Sequence, residues 1–258
     1  MTQASNTTTR PELGWLIARP IAHRGLHDLA AGVIENSASA AEAAIAGGFG
    51  IECDVQLTAD GEAVVFHDFM LDRLTAESGA VVERKADALS AITLKGSGDR
   101  ILTLSAFLDL IGGRVPLIIE IKSRFDGNLA LTRRTVEIVR GYKDHPIVIK
   151  SFDPDIVTAL REIAPEIPRG IVAMNAYDYG DYDSLSPARK HALANLLHFT
   201  QSRPHFLSWK VADLESAAPY LCRNALGLPL MSWTVRTPEE RQRAATFADQ
   251  MVFEGFRP

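Results

Sequence analysis

Within its first half the chain sets out His23-Arg24, Glu52 and Asp54, His67-Asp68, and Glu120 with Lys122, in that order. Glu52 and Asp54 are two residues apart in an apolar run, so on a strand both side chains leave the same face. Two carboxylates about 4 Å apart repel by roughly 1 kcal/mol in water and ~4 kcal/mol at an intermediate dielectric. A shared proton, a basic side chain or a metal ion must therefore neutralise them. Glu120 and Lys122 share a face in the same way, inside the run Leu117-Ile118-Ile119-Glu120-Ile121-Lys122. With Glu120 beside Glu52 and Asp54, three carboxylates make an all-oxygen site suited to one hard divalent cation, Mg2+ or Ca2+. Lys122 then stands beside the cation and faces whatever anion it binds. His23 and His67 both end apolar runs, and Arg24 adjoins the first. Two imidazoles, an arginine and a cation are the parts of phosphoryl transfer: the cations hold and polarise phosphate, and the histidines move protons.

The elements that must position these groups alternate along the chain. Strand-like apolar runs fall at 20–24, 50–57, 63–67, 116–122, 146–152, 170–174, 205–210, 229–235 and 251–254. Several are nearly continuous in Ile, Val and Leu, as expected of parallel strands covered on both faces. Helical stretches lie between most of them. Asn36 is placed to cap a helix over 37–46, and Asp153-Pro154 to open one over 155–163. Thr237-Pro238-Glu239-Glu240 reads as a capping box. Strand–helix alternation over about 250 residues predicts an α/β fold, a single (β/α)8 TIM barrel. A doubly wound open sheet ranks second, because no glycine-rich fingerprint follows the first strand. Nine runs compete for eight barrel places, so at least one is not a strand or lies off the barrel. The turn at 58–61 leaves no room for a helix before His67. Whether that connection is a hairpin or an extended crossover, His67 is expected close to Glu52 and Asp54. The tyrosine- and aspartate-rich segment 177–182 reads as an exposed loop.

Composition bounds the function classes. The 258 residues are 47% hydrophobic and 23% charged, as in ordinary globular proteins. With 27 Lys plus Arg against 32 Asp plus Glu, the net charge of −5 lacks the basic footprint of a nucleic-acid binder. Two cysteines, Cys53 and Cys222, are too few for a disulfide scaffold. Cys53 alternates with Glu52 and Asp54, so it is expected as a buried apolar thiol on the opposite face. Residues 1–15 read as a polar leader before a domain at 16–258. No signal-peptide pattern follows the first Met, no window reaches the ~18 apolar residues of a membrane span, and no lipidation signal appears. A cytoplasmic protein without stable membrane insertion is the expectation.

Taken together, the motifs resemble those of glycerophosphodiester phosphodiesterases. That pattern is a His-Arg-Gly, a Glu-Asn-Thr/Ser, a Glu-x-Asp leading through Thr-x-Asp-Gly to a His-Asp, and a later Glu-x-Lys. Here it reads His23-Arg24-Gly25, Glu35-Asn36-Ser37, Glu52-Cys53-Asp54, Thr58-Ala59-Asp60-Gly61, His67-Asp68 and Glu120-Ile121-Lys122. Ser151-Phe152-Asp153 and Trp233-Thr234-Val235 are similar to the family's later strands. The likeness is dense over 20–75, sparse but ordered to about 235, and poor between 175 and 225.

The resemblance implies a barrel phosphodiesterase that cleaves a small-molecule glycerophosphodiester, such as glycerophosphocholine or glycerophosphoethanolamine, to glycerol 3-phosphate and an alcohol. It assigns Glu52, Asp54 and Glu120 to the metal, and His23 and His67 to acid–base catalysis. Arg24 and Lys122 become phosphate contacts, Trp233 packs near the glycerol, and Glu35 supports His23, Arg24 or the metal. One departure stands out. Family members commonly end in Asp-Gly-Ile-Ile-Thr-Asp-x-Pro, whereas this chain reads Asp249-Gln250-Met251-Val252-Phe253-Glu254-Gly255, a change expected at the rim and in substrate choice. His27, His145, His191, His198 and His205 have no such context and are expected to be structural or superficial. Two other readings rank lower. A lysophospholipid or sphingolipid phosphodiesterase would need a greasy mouth, and a non-catalytic phosphodiester-binding protein would have no need of two proton carriers.

Overall fold

The inward and outward parity of each apolar run decides the architecture. The computed structural model describes residues 11–258. Among them ten strands form: β1 (Ile21–Ala22), β2 (Gly50–Leu57), β3 (Ala63–Val65), β4 (Leu102–Thr103), β5 (Leu117–Ile121), β6 (Ile147–Ser151), β7 (Arg169–Ala173), β8 (Phe206–Lys210), β9 (Leu230–Val235) and β10 (Gln250–Phe253). β1 pairs in parallel with both β2 and β10, which closes eight parallel strands into a single (β/α)8 TIM barrel. Of the expected polar leader, residues 1–10 lie outside the described residues.

The surplus ninth run is β3. It folds back antiparallel on the end of β2, with Val55 opposite Val65 and Leu57 opposite Ala63, and β4 adds to its far side. The connection left open by the sequence is thus a hairpin. Thr58 builds its turn, donating to Asp60 Oδ1 at 2.6 Å and accepting from the Glu62 amide at 2.8 Å. Beyond β3 the chain packs a satellite core of Ile34, Val64, Phe66, Leu71, Leu89 and Ile101, separate from the barrel core. That packing holds the segment carrying His67 and Asp68 against the end of β2.

Outward residues such as Ile51, Cys53, Val55, Leu117, Ile119 and Ile149 pack against the helices and are essentially fully buried. Each such side chain contributes about 1.5–3 kcal/mol relative to exposure. Inward residues are layered. Ile21, Ile118, Val148, Phe206, Met231 and Val252 fill the lower barrel, sealed from below by Leu13 and Leu16. Gly170 is required there, since a Cβ would lie 2.3 Å from the Phe206 ring. One pleat further along the same strands, the inward side chains include His23, Asp54, Glu120, Lys150 and Glu254. Alternation thus converts an apolar floor into a charged upper layer at the C-terminal ends of the strands.

Two local expectations need correction. Ser37, not Asn36, caps the helix Ala38–Ala46, accepting from the Ala40 amide at 3.2 Å. Asn36 adopts φ 56° and turns its amide inward instead. In the segment read as an exposed loop, Tyr177 and Tyr182 are buried. Their rings pack edge-on at 5.0 Å, and Tyr182 also meets Phe125 and Phe152. The burial of aromatic area outweighs the polarity of the aspartates between them. The capping box of Thr237 and Glu240 forms as read.

Candidate active site

Neighbouring registers bring the acids together. Asp54 on β2 is level with Glu120 on β5, which is level with Lys150 on β6. Glu52, Asp54 and Glu120 are all buried, and each offers an oxygen within 4.8 Å of the others. Lys122 Nζ lies 2.9 Å from Asp54 Oδ1 and 2.8 Å from Glu120 Oε1. Lys150 Nζ, only 2% exposed, lies 2.9 Å from Glu52 Oε1 and 3.2 Å from Glu120 Oε2. Arg24 donates from its amide to Glu52 Oε2 at 3.2 Å, while its Nε stands 3.3 Å from Asp54 Oδ2. Asn36 closes the ring by donating to Asp54 Oδ2 at 3.0 Å.

The electrostatics are a contest between burial and pairing. Burial would raise the carboxyl of Asp54, but Lys122, His67 and Arg24 outweigh it and hold it well below the ordinary range. Glu120 is lowered likewise, against burial, by Lys122 and Lys150. Burial opposes the charge of Lys122 and Lys150, yet the carboxylates keep both ammonium groups above their ordinary value. Asp54 and Glu120 are therefore ionised, as metal ligands must be. Glu52 Oε1 is buried and has the Lys150 ammonium as its partner. Three buried carboxylates converging within 4.8 Å make a hard-oxygen donor set that fits a divalent cation.

Each histidine is fixed by a carboxylate. His23 Nδ1 donates to Glu254 Oε2 at 2.5 Å, and His67 Nδ1 donates to Asp68 Oδ1 at 2.7 Å. Burial works against the Glu254 anion, but hydrogen bonds from His23 and His27 hold its pKa far down. Asp68 is lowered against burial by His67 and Arg73. Ionised carboxylates only accept, so both protons sit on Nδ1. That leaves Nε2 as the nitrogen available in each ring. His23 Nε2 lies 3.9 Å from Glu52 Oε2, within reach of the acidic cluster.

Around these groups lies a supporting layer. Glu35 accepts from Arg24 Nη1 at 2.6 Å and from both terminal nitrogens of Arg73 at 2.8 Å. Arg73 also donates to both oxygens of Asp68, so one arginine ties the partner of His67 to the partner of Arg24. Burial would raise Glu35, but Arg73 and Arg24 bring it down to about 2. Trp233 donates from Nε1 to the Ser208 carbonyl at 3.0 Å, and its ring meets Phe152 edge-on at 5.3 Å. A cleft of about 330 Å³ opens from His67, Glu120 and Lys122 toward Phe69, Phe125, Phe152 and Tyr182.

All nine residues singled out in the sequence lie in this upper layer or directly behind it. The sequence assigns no site role to Lys150, His27 or Arg73, names Asp68 and Glu254 only within motifs, and does not show the inward role of Asn36. Lys150 carried a readable signal, an inward lysine of the same parity as Val148 in an apolar strand. Glu254 was read as a change at the substrate rim, yet it contacts His23 and, at 3.5 Å, His27 Nε2. Arg73 joins the site through loop packing, which has no periodicity to read.

Residues 23–253 match the model of the Glycerophosphoryl diester phosphodiesterase family. The glycerophosphodiester phosphodiesterase of Caldanaerobacter subterraneus subsp. tengcongensis is 34% identical over 161 residues, spanning 59% of this chain and 65% of that protein's length. The crystal structure of a glycerophosphodiester phosphodiesterase from Thermotoga maritima superposes with TM-score 0.68 at 25% identity, covering 90% of this chain and 92% of that one. An Oleispira antarctica phosphodiesterase, solved in complex with the product sn-glycerol-3-phosphate, shares the fold with TM-score 0.72 at 21% identity, covering 90% of this chain and 91% of that one.

Proposed function

The chain belongs to the glycerophosphoryl diester phosphodiesterase family and is a phosphoric diester hydrolase; from that premise we propose that it hydrolyses glycerophosphodiesters such as glycerophosphocholine, using His23 and His67 as its proton carriers. The observation that carries this reading is the matched pair of imidazoles, each with Nδ1 locked on an ionised carboxylate and Nε2 left for the substrate. A carboxylate behind an imidazole fixes its tautomer and stabilises the imidazolium that forms when it takes a proton. One histidine accepts the proton of the attacking oxygen, and the other donates a proton to the departing alcohol oxygen. Net addition of water gives glycerol 3-phosphate and the free alcohol.

Glu52, Asp54 and Glu120 would hold the divalent cation, Mg2+ or Ca2+. Bound there, such a cation supplies Lewis-acid polarisation of a phosphoryl oxygen and of a substrate hydroxyl. Arg24 and Lys122 orient the phosphate and stabilise the charge that grows on its oxygens in the transition state. Glu35 and Arg73 keep Arg24 and Asp68 in register. Trp233 borders the place where the glycerol would pack.

The experiment gives purified protein glycerophosphocholine and, separately, lysophosphatidylcholine, each with and without EDTA. Release of glycerol 3-phosphate and choline from the first, abolished by EDTA and restored by Mg2+ or Ca2+, is expected. Release from the lipid alone would make the enzyme a lysophospholipid phosphodiesterase. Turnover that survives complete metal stripping would sink the metal assignment.

A further inference from the structure

The charges of the acidic cluster in the upper barrel balance before any divalent cation is counted. Glu52, Asp54 and Glu120 face three side-chain cations, Arg24, Lys122 and Lys150. Arg24 and Lys122 reach in from the strand ends and are 17% and 15% exposed, but Lys150 is 2% exposed and rises from within β6. Its ammonium bridges two of the three acids, at 2.9 Å to Glu52 and 3.2 Å to Glu120. Both belong to carboxylates that would hold a cation in this donor set. A fully buried ammonium persists only when paired, and here its partners are two of the proposed ligands.

We infer that Lys150 is a positioning residue, an internal cation that holds Glu52 and Glu120 together without a metal and weakens the site's hold on a divalent cation. The inference rests on the reading of Glu52, Asp54 and Glu120 as metal ligands. Its physical basis is competition for the same carboxylates. An ammonium within 3.2 Å of two carboxylates neutralises part of their charge, so less attraction remains for a second cation. The same ammonium removes the mutual repulsion that would otherwise push the acids apart in metal-stripped protein. Replacing Lys150 by an apolar side chain of similar length should therefore exchange stability of the stripped form for affinity toward the metal.

The test compares wild type with Lys150→Met, stripped with EDTA and dialysed, by melting temperature and by calorimetric titration with CaCl2 and MgCl2. The stripped variant should melt at least 5 °C below stripped wild type, bind the better of the two cations at least tenfold more tightly, and gain more melting temperature from it. Equal melting of the stripped proteins, or equal or weaker cation affinity in the variant, overturns the inference. If neither protein binds either cation, the metal reading fails and the affinity claim falls with it, while the melting comparison still decides whether Lys150 holds the acids together. Should Lys150→Met not fold even with 10 mM CaCl2, the double variant Lys150→Met/Glu52→Gln removes both opposed charges. A folded double variant supports the charge-balance argument, and an unfolded one overturns it.

Discussion

Glu254→Gln keeps the size of the side chain that holds His23 and removes its charge. In the native arrangement one oxygen accepts from His23 Nδ1 at 2.5 Å and stands 3.5 Å from His27 Nε2, and the other accepts from Arg236 Nε at 2.5 Å. A glutamine has one acceptor oxygen for these donors, so its NH2 must face either the imidazole or the guanidinium. The His23 ring then loses its fixed tautomer and the partner that stabilises its protonated form. Hydrogen bonds to charged groups are worth about 1.5–3 kcal/mol. Expressed in the transition state, where His23 carries charge, that loss lowers kcat by about 10- to 100-fold. KM should change little, because Glu254 stands behind His23 on the Nδ1 side, away from the nitrogen left for the substrate. Stability should fall by about 1–2 kcal/mol, a drop of roughly 2–8 °C in Tm for a domain of this size. The assay is initial-rate kinetics on glycerophosphocholine with coupled detection of glycerol 3-phosphate, alongside a thermal melt. Glu254→Asp, which keeps the charge one methylene short, should lose less. A folded Glu254→Gln with kcat within twofold of wild type would refute the orienting role.

Other perturbations follow from the same geometry. Gly25 sits at φ +80°, and a Cβ there would lie 2.8 Å from the Cα-attached carbon and backbone carbonyl carbon of Ala40, so Gly25→Ala should cost about 2–4 kcal/mol and displace His23 and Arg24. Wild-type Tm and activity in that variant would remove the argument. The pH dependence of stability follows from the lowered pKa of Glu35. Lowering it from 4.5 to about 2 stabilises the fold by about 3 kcal/mol, fully present above about pH 5 and lost as pH falls toward 2. Urea unfolding of Glu35→Gln should accordingly show a deficit against wild type at pH 7 that shrinks between pH 5 and pH 2. A deficit independent of pH over that window would contradict the Arg24–Glu35–Arg73 network as its source.

The sequence and the structure agree where periodicity governs. Alternation placed Glu52, Asp54, Glu120 and Lys122 on one face, and the closed barrel brings that face inward, so the acidic cluster was legible before any fold was seen. The same rule applies to Lys150, whose parity with Val148 points it into the barrel, but one lysine in an apolar strand suggests a function only once its neighbours are known. Groups that arrive through irregular chain were not legible. Arg73 reaches Glu35 across 38 positions of sequence, and Asn36 reaches Asp54 by leaving the helix cap to Ser37. The aromatic wall of Tyr177 and Tyr182 was hidden by its polar neighbours, because ring packing between distant segments outweighs local composition. The altered C-terminal motif gained its meaning from closure of the barrel, which sets the end of β10 beside β1 and so places Glu254 on His23.

The most direct measurement is kcat for release of glycerol 3-phosphate from glycerophosphocholine by His67→Ala, with wild type and variant both saturated with metal and shown to be folded. Removing a group that moves a proton in the transition state should lower the rate by about 10²- to 10⁴-fold. A rate close to that of wild type would contradict the account, because the imidazole held by Asp68 would then carry no proton in the reaction.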